Sequence, residues 1–140
     1  MSTTKGLAET LRLYLDDLSD GGQTRYQLDD RLSSEPGADV RIVVLRIAQE
    51  AVANVRRHAS ARSASVHLEE RDGGFLVRIT DDGVGFVVDG RESASGQLGL
   101  ATMRWAAERA GGWIRIESDG QTGTTVSCWI PNDGPVEPWK

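Results

Sequence analysis

Glu50, Asn54 and His58 follow one another at intervals of four. On a helix that spacing is about 400° of turn, so the three side chains stack nearly above one another. None of them is apolar, yet the stretch that holds them, from Asp39 to about Ala59, repeats Val40, Val43, Val44, Ile47, Ala48, Ala51, Val52 and Val55 at three and four. Such a strip is either a solvated helix face or a face turned into a polar cavity. In a cavity the Asn54 amide oxygen suits a hard cation, and Glu50 can orient or deprotonate a water.

Three glycine-bearing stretches raise the same choice. "ITDDGVGF", 79–86, stops an alternating apolar run with two aspartates and two glycines. A hairpin turn explains one Asp-Gly pair and leaves Gly85 over. As a site, the Asp81 carboxylate at the strand end can accept from an exocyclic amine, and Gly83 and Gly85 let a flat ring approach the backbone. In "SGQLGLATM", Gly96 and Gly99 come just before a helix, where free N–H groups and the helix dipole favour phosphate. They serve equally as lid hinges. "TGTTV" sets Gly123 and Thr124 in a tight turn before a strand, a plain hairpin turn or a placed hydroxyl.

These residues need elements to hold them. "KGLAETLRLYLDDLSDGG" carries Leu7, Leu11, Tyr14, Leu15 and Leu18 at helical spacing and predicts about four turns, stopped by Gly21-Gly22. "TRYQLDDRL" predicts a strand through Tyr26, Leu28 and Leu32, and Pro36-Gly37 a turn. The long apolar stripe from Asp39, read as its N-cap, to about Ala59 is the strongest helix. "SASVHLEERDGGFLVRITDD" alternates on both sides of Asp72-Gly73-Gly74, a hairpin with Val66, Leu68, Val77, Ile79 and either Phe75 or Leu76 inward. Residues 87–97 lack a period and read as a loop, and "LGLATMRWAAERAGG" as a helix closed by Gly111-Gly112. "WIRIESDGQTGTTVSCWI" gives a second hairpin with Ile114, Ile116, Val126, Cys128 and Ile130 inward, and the polar, Pro-rich "PNDGPVEPWK" a disordered tail. The order predicts an α+β, two-layer sandwich: a mostly antiparallel sheet of about five strands with helices on one face. The expected divisions are a helix or connector at 1–22, one domain at 23–131 and the tail at 132–140.

Composition bounds the function. A chain of 140 residues suits one core. Its net charge of −5 argues against general nucleic-acid binding. Cys128 is alone, so no internal disulfide forms, and no apolar run approaches a membrane span or a secretory signal.

Taken in order, "LRIAQEAVANVRRHASA", "ITDDGVGF", "GQLGLATMRWAAERAGG" and "GTTVSCWIP" resemble the ATP-binding domain of two-component sensor histidine kinases, within the GHKL ATPase superfamily. They most resemble the nitrate-sensor-like subfamily, over about 24–131. The resemblance implies a Bergerat-type ATP-binding fold and binding of ATP with Mg²⁺. It sets Asn54 where the family ligates Mg²⁺, Glu50 where this subfamily keeps an acid, Arg57 near a basic position that reaches phosphate, and His58 beside the nucleotide. Asp81 matches the acceptor of the adenine amino group, with Gly83 and Gly85 giving the ring room. Gly96, Gly99 and Leu100 match the region at the lid's end over the phosphates. Gly123 and Thr124 match the last box, whose hydroxyl supports Asp81 and a water beside the adenine. Gln97 departs from a frequent histidine, and Trp105 from a charged residue. Trp105 is read as partly buried under a loop or as a docking patch.

The implied function is the catalytic domain of a cytoplasmic kinase module. It supplies the γ-phosphoryl group to a histidine on a separate dimerisation domain of a homodimeric parent, with a response regulator as indirect partner and no nucleic-acid or membrane contact of its own. His58 and His67 do not lie in the long helix pair that a phosphoacceptor needs. An anti-sigma serine kinase of the same superfamily and a non-catalytic nucleotide-sensing module are the alternatives.

Overall fold

The computed structural model describes residues 6–21, 24–56, 62–83, 94–118 and 123–132, the backbone alone for 94–100. Its elements run α1 (Leu7–Gly21), β1 (Arg25–Asp30), α2 (Ala38–Asn54), β2 (Ser63–Arg71), β3 (Gly74–Asp81), α3 (Ala94–Arg109), β4 (Trp113–Ser118) and β5 (Thr124–Pro131). The strands form one sheet in the order β1-β2-β3-β5-β4, antiparallel except for the parallel pair β1–β2. This is the expected α+β sandwich.

Strand alternation separates the two sheet faces. Ala64, Val66 and Leu68 of β2, Phe75, Val77 and Ile79 of β3, Ile114 of β4 and Val126, Cys128 and Ile130 of β5 bury their side chains in one core. The helices close that core: α2 packs on β3 and β5, α3 on β4, β5 and α2, and α1 on β1 and α2. Leu7, Leu11 and Leu15, one face of α1 at steps of four, join it, so α1 shares the core of the sheet domain. Burial also pushes the Cys128 thiol up to about 12, which leaves it inert.

The Phe75-or-Leu76 choice resolves in favour of Phe75, although both are buried. Phe75 joins the core, while Leu76 faces the other side and is buried there, paired across the ladder with Trp129. Trp129 lies over Gly74, where a Cβ would stand 2.7 Å from the indole, and its Nε1 donates to the Arg71 carbonyl at 2.7 Å. The hairpin before it turns on Asp72 and Gly73 alone, both at positive φ (52° and 76°), the form a two-residue loop requires.

Three boundaries differ from the sequence reading. Strand β1 ends at Asp30, short of Leu32. The N-cap of α2 is Gly37, in extended conformation and without a side-chain hydrogen bond; Asp39 stands inside the first turn, where its charge still suits the helix dipole. Helix α3 begins at Ala94 rather than near Leu98: Ala94, Ser95 and Gln97 carry no apolar period that announces a helix, and Gly96 among them is a poor helix former. The end of the long helix near Ala59 and the tail beyond 132 lie outside the described residues. No helix among the described residues is long and apolar enough to cross a membrane.

Candidate functional site

Strand pairing brings two of the polar stretches to one end of the sheet. β3 ends at Asp81, which pairs in register with Thr124 at the start of β5. The chain leaves the C-terminal end of α2 and re-enters the sheet at Ser63, whose carbonyl accepts from the Asp82 N–H at 3.2 Å. The start of β2 is therefore tied to the end of β3.

Asp81 is the most constrained of these residues. It is 6% exposed, although a carboxylate is seldom so covered. Its Oδ1 accepts from the Gly83 N–H at 2.9 Å. Burial moves its carboxyl above the usual carboxylate range; the backbone N–H groups of Gly83 and Thr124 pull it back down, and the Asp82 charge pushes it up again. An ionised carboxylate only accepts hydrogen bonds. Such a group at a strand end suits an N–H donor brought by a ligand.

Gly123 makes this edge possible. Its φ of +116° is left to glycine, and a Cβ there would stand 2.1 Å from the Asp81 carbonyl oxygen. Gly123→Ala is expected to lower stability by about 2 kcal/mol or more. Chemical denaturation would measure it; an unchanged midpoint would show that the edge tolerates a Cβ. Thr124 is buried, but its Oγ1 donates to Ser118 Oγ at 3.1 Å. Thr124 also supports Asp81 through its backbone N–H.

On α2, Asn54 is 4% exposed and Glu50 half-buried. A solvated strip is thereby ruled out for Asn54, which sits at the helix end beside the buried Ala51, Val52 and Val55. The helix then widens through a π-type turn at Val55 and Arg56, a form frequent at functional sites. Arg57, His58 and Gly85 lie outside the described residues. Gly96 stands in the first turn of α3 and Gly99 in the second, inside the helix rather than before it. The first-turn N–H groups remain without intrahelical acceptors. For Leu100 the backbone alone is described, on α3.

The sequence reading treated the two aspartates of "DDGVGF" as one signal, and the structure divides them. Asp82 accepts from the Arg62 N–H at 2.9 Å, the Ser63 N–H at 3.0 Å and the Ser63 hydroxyl at 3.0 Å. Those bonds hold its carboxyl below the usual range. It staples the α2–β2 connection to the end of β3, leaving Asp81 for the site. Trp105 is 49% exposed on α3, with the Arg109 guanidinium 5.3 Å from its ring centroid.

The donor set fits a magnesium nucleotide. The Asp81 carboxylate offers an acceptor that suits an exocyclic amine, and the Asn54 side chain an oxygen that suits a hard cation. Comparison with known proteins bears on this fit. A model of the family "Histidine kinase-, DNA gyrase B-, and HSP90-like ATPase" matches residues 38–134. The nitrate/nitrite sensor protein NarQ of Escherichia coli is 34% identical over 123 residues, 86% of this chain and 21% of that protein. The signal transduction histidine-protein kinase/phosphatase DegS of Brevibacillus brevis is 37% identical over 92 residues, 66% of this chain and 23% of that protein. The chain thus spans about a fifth to a quarter of these curated relatives. Among solved structures, the histidine kinase domain of a blue-light activated histidine kinase from Erythrobacter litoralis superposes with a TM-score of 0.70 at 22% identity, over 94% of this chain and 64% of that one. The Acinetobacter baumannii histidine kinase AdeS gives 0.69 at 20% identity, over 91% of this chain and 64% of that one. At those identities the likeness concerns the fold.

Proposed function

The chain belongs to the histidine kinase-, DNA gyrase B- and HSP90-like ATPase family, and from that premise we propose that it is the Mg·ATP-binding catalytic domain of a two-component sensor histidine kinase. The observation that carries this reading is the buried Asp81 carboxylate at the end of β3, backed by Gly83, Gly123 and Thr124. In this reading Asp81 accepts the adenine amino group, and Gly83 and Gly85 leave room for the ring. Asn54 ligates Mg²⁺. Arg57, His58 and the start of α3, with Gly96, Gly99 and Leu100, lie along the phosphates. The nucleotide, when bound, supplies a γ-phosphoryl group. The chain's own residues bind and orient it and balance its charge, which is most of what phosphoryl transfer asks of a protein.

The acceptor is a histidine on a separate dimerisation domain of the parent, with a response regulator downstream. NarQ and DegS carry sensor and kinase names, which favours this acceptor over the serine of an anti-sigma antagonist. His67 stands in β2, paired with its neighbours, so the domain alone autophosphorylates poorly.

Calorimetry with Mg·ATP, followed by phosphotransfer to an acceptor domain supplied separately, tests the proposal. Binding without efficient self-labelling is expected; absence of Mg·ATP binding overturns it. Glu50→Gln should keep affinity while transfer falls about 100-fold, the scale of a lost general base. Should affinity collapse instead, with transfer per bound nucleotide unchanged, Glu50 is a structural residue of α2.

A further inference from the structure

We propose that His67 is a protonation-controlled clamp that fastens the edge strand β1, and with it α1, to the sheet. His67 lies on the sheet face opposite the helices, in register with Asp29 of β1 and with Arg78 of β3. Its Nδ1 is 2.9 Å from Asp29 Oδ2 and its Nε2 2.7 Å from Glu69 Oε1. Both partners are carboxylates, which accept only. A neutral imidazole has a single N–H, so the imidazolium alone satisfies both contacts. Loss of its proton sets a nitrogen lone pair against a carboxylate at hydrogen-bond distance.

The surroundings hold the two carboxylates in place. Arg31 Nε donates to Asp29 Oδ1 at 2.8 Å, and Arg71 Nη2 lies 3.0 Å from Glu69 Oε2. The charges therefore alternate along one line: Arg31, Asp29, His67, Glu69, Arg71. Arg78 is the one like charge facing the ring from β3, and its Nε points to Ser127 Oγ at 3.5 Å.

The placement gives the clamp its consequence. β1 is the outermost strand and pairs in parallel, the weaker ladder per residue. The Asp29–His67 contact crosses that ladder, and α1 packs on β1. Asp29 and Glu69 are each held below the usual carboxylate range, first by their hydrogen bond to His67. For a lowered carboxylate the stabilisation is present above its ordinary pKa and lost as pH falls through the lowered one. A neutral ring keeps only one of its two contacts, so the clamp opens when the ring is deprotonated.

Two backbone bonds of the same strand report on this. The Arg31 N–H donates to the Leu68 carbonyl at 2.9 Å beside the clamp, and the Arg25 N–H to the Arg62 carbonyl at 2.9 Å at the far end. Amide hydrogen exchange of the nucleotide-free chain, corrected for intrinsic rates, is compared across the pH range in which the His67 ring titrates by NMR. Protection at Arg31 relative to Arg25 should fall roughly two- to five-fold as the ring loses its proton, the scale of an exposed ion-pair network. His67→Gln should remove that pH dependence, and Asp29→Asn should weaken it while the chain stays folded. The same pH dependence in His67→Gln, or none in the unsubstituted chain, overturns the clamp. Neither outcome depends on nucleotide binding, so the clamp and the kinase reading stand or fall separately.

Discussion

Asp81→Asn is expected to weaken Mg·ATP binding about 10- to 150-fold and to leave the nucleotide-free domain no less stable. The first effect follows from chemistry. A carboxylate offers acceptors alone, and an asparagine can present an NH₂ to the adenine amine. Loss of one charge-assisted hydrogen bond costs about 1.5–3 kcal/mol, which is that range of affinity. The second effect follows from burial. Asp81 titrates above the ordinary carboxylate range in the fold, mainly because burial disfavours its charge. For a carboxyl raised in this way, folding favours the protonated form, so the ionised group detracts from stability at neutral pH. Asparagine removes that charge. As pH falls through the raised value, the unsubstituted domain takes up its proton and the stability difference between the two should shrink. Calorimetry and thermal melts with and without nucleotide measure both halves. Unchanged affinity would remove Asp81 from the adenine site; a neutral-pH loss of stability that persists in acid would make it a structural residue.

The same residue marks how far the sequence is legible. Strand alternation around Asp72-Gly73 and the stripe of α2 are local patterns whose periods match the elements they form, so hairpins, helices and their order follow directly. The polar residues that break those patterns, Asn54 and Asp81, stand out for the same reason. What stays hidden depends on contacts between distant segments. Asp82 differs from Asp81 only through Ser63 and Arg62, about twenty residues away. Leu76 belongs to a continuous apolar run, and its side is settled by Trp129 across the ladder. The clamp at His67 joins Asp29 to Glu69 through a parallel pairing that no local pattern announces. Helix boundaries fail in a third way: at Gly37 backbone conformation alone does the capping, and at Ala94 small residues carry no period to read.

Asn54→Ala separates the metal from the rest of the nucleotide. Asn54 is 4% exposed at the end of α2, whose following turn is wide, and the residue makes an interaction within the fold. Two losses therefore compete. A ligand to Mg²⁺ affects binding only when the metal is present, and substitutions around a metal site cost about 10- to 100-fold in metal affinity. A structural amide, by contrast, leaves a buried partner unsatisfied, at about 1–3 kcal/mol of stability, whatever the solution contains. Affinity for Mg·ATP is expected to fall at least about 10-fold, while affinity for ADP in the presence of a chelator changes little. The difference between the two titrations, rather than either alone, reads the role. Equal losses in both, accompanied by a lower melting temperature, would mean that Asn54 holds the end of α2 in place and that the cation takes its oxygens elsewhere.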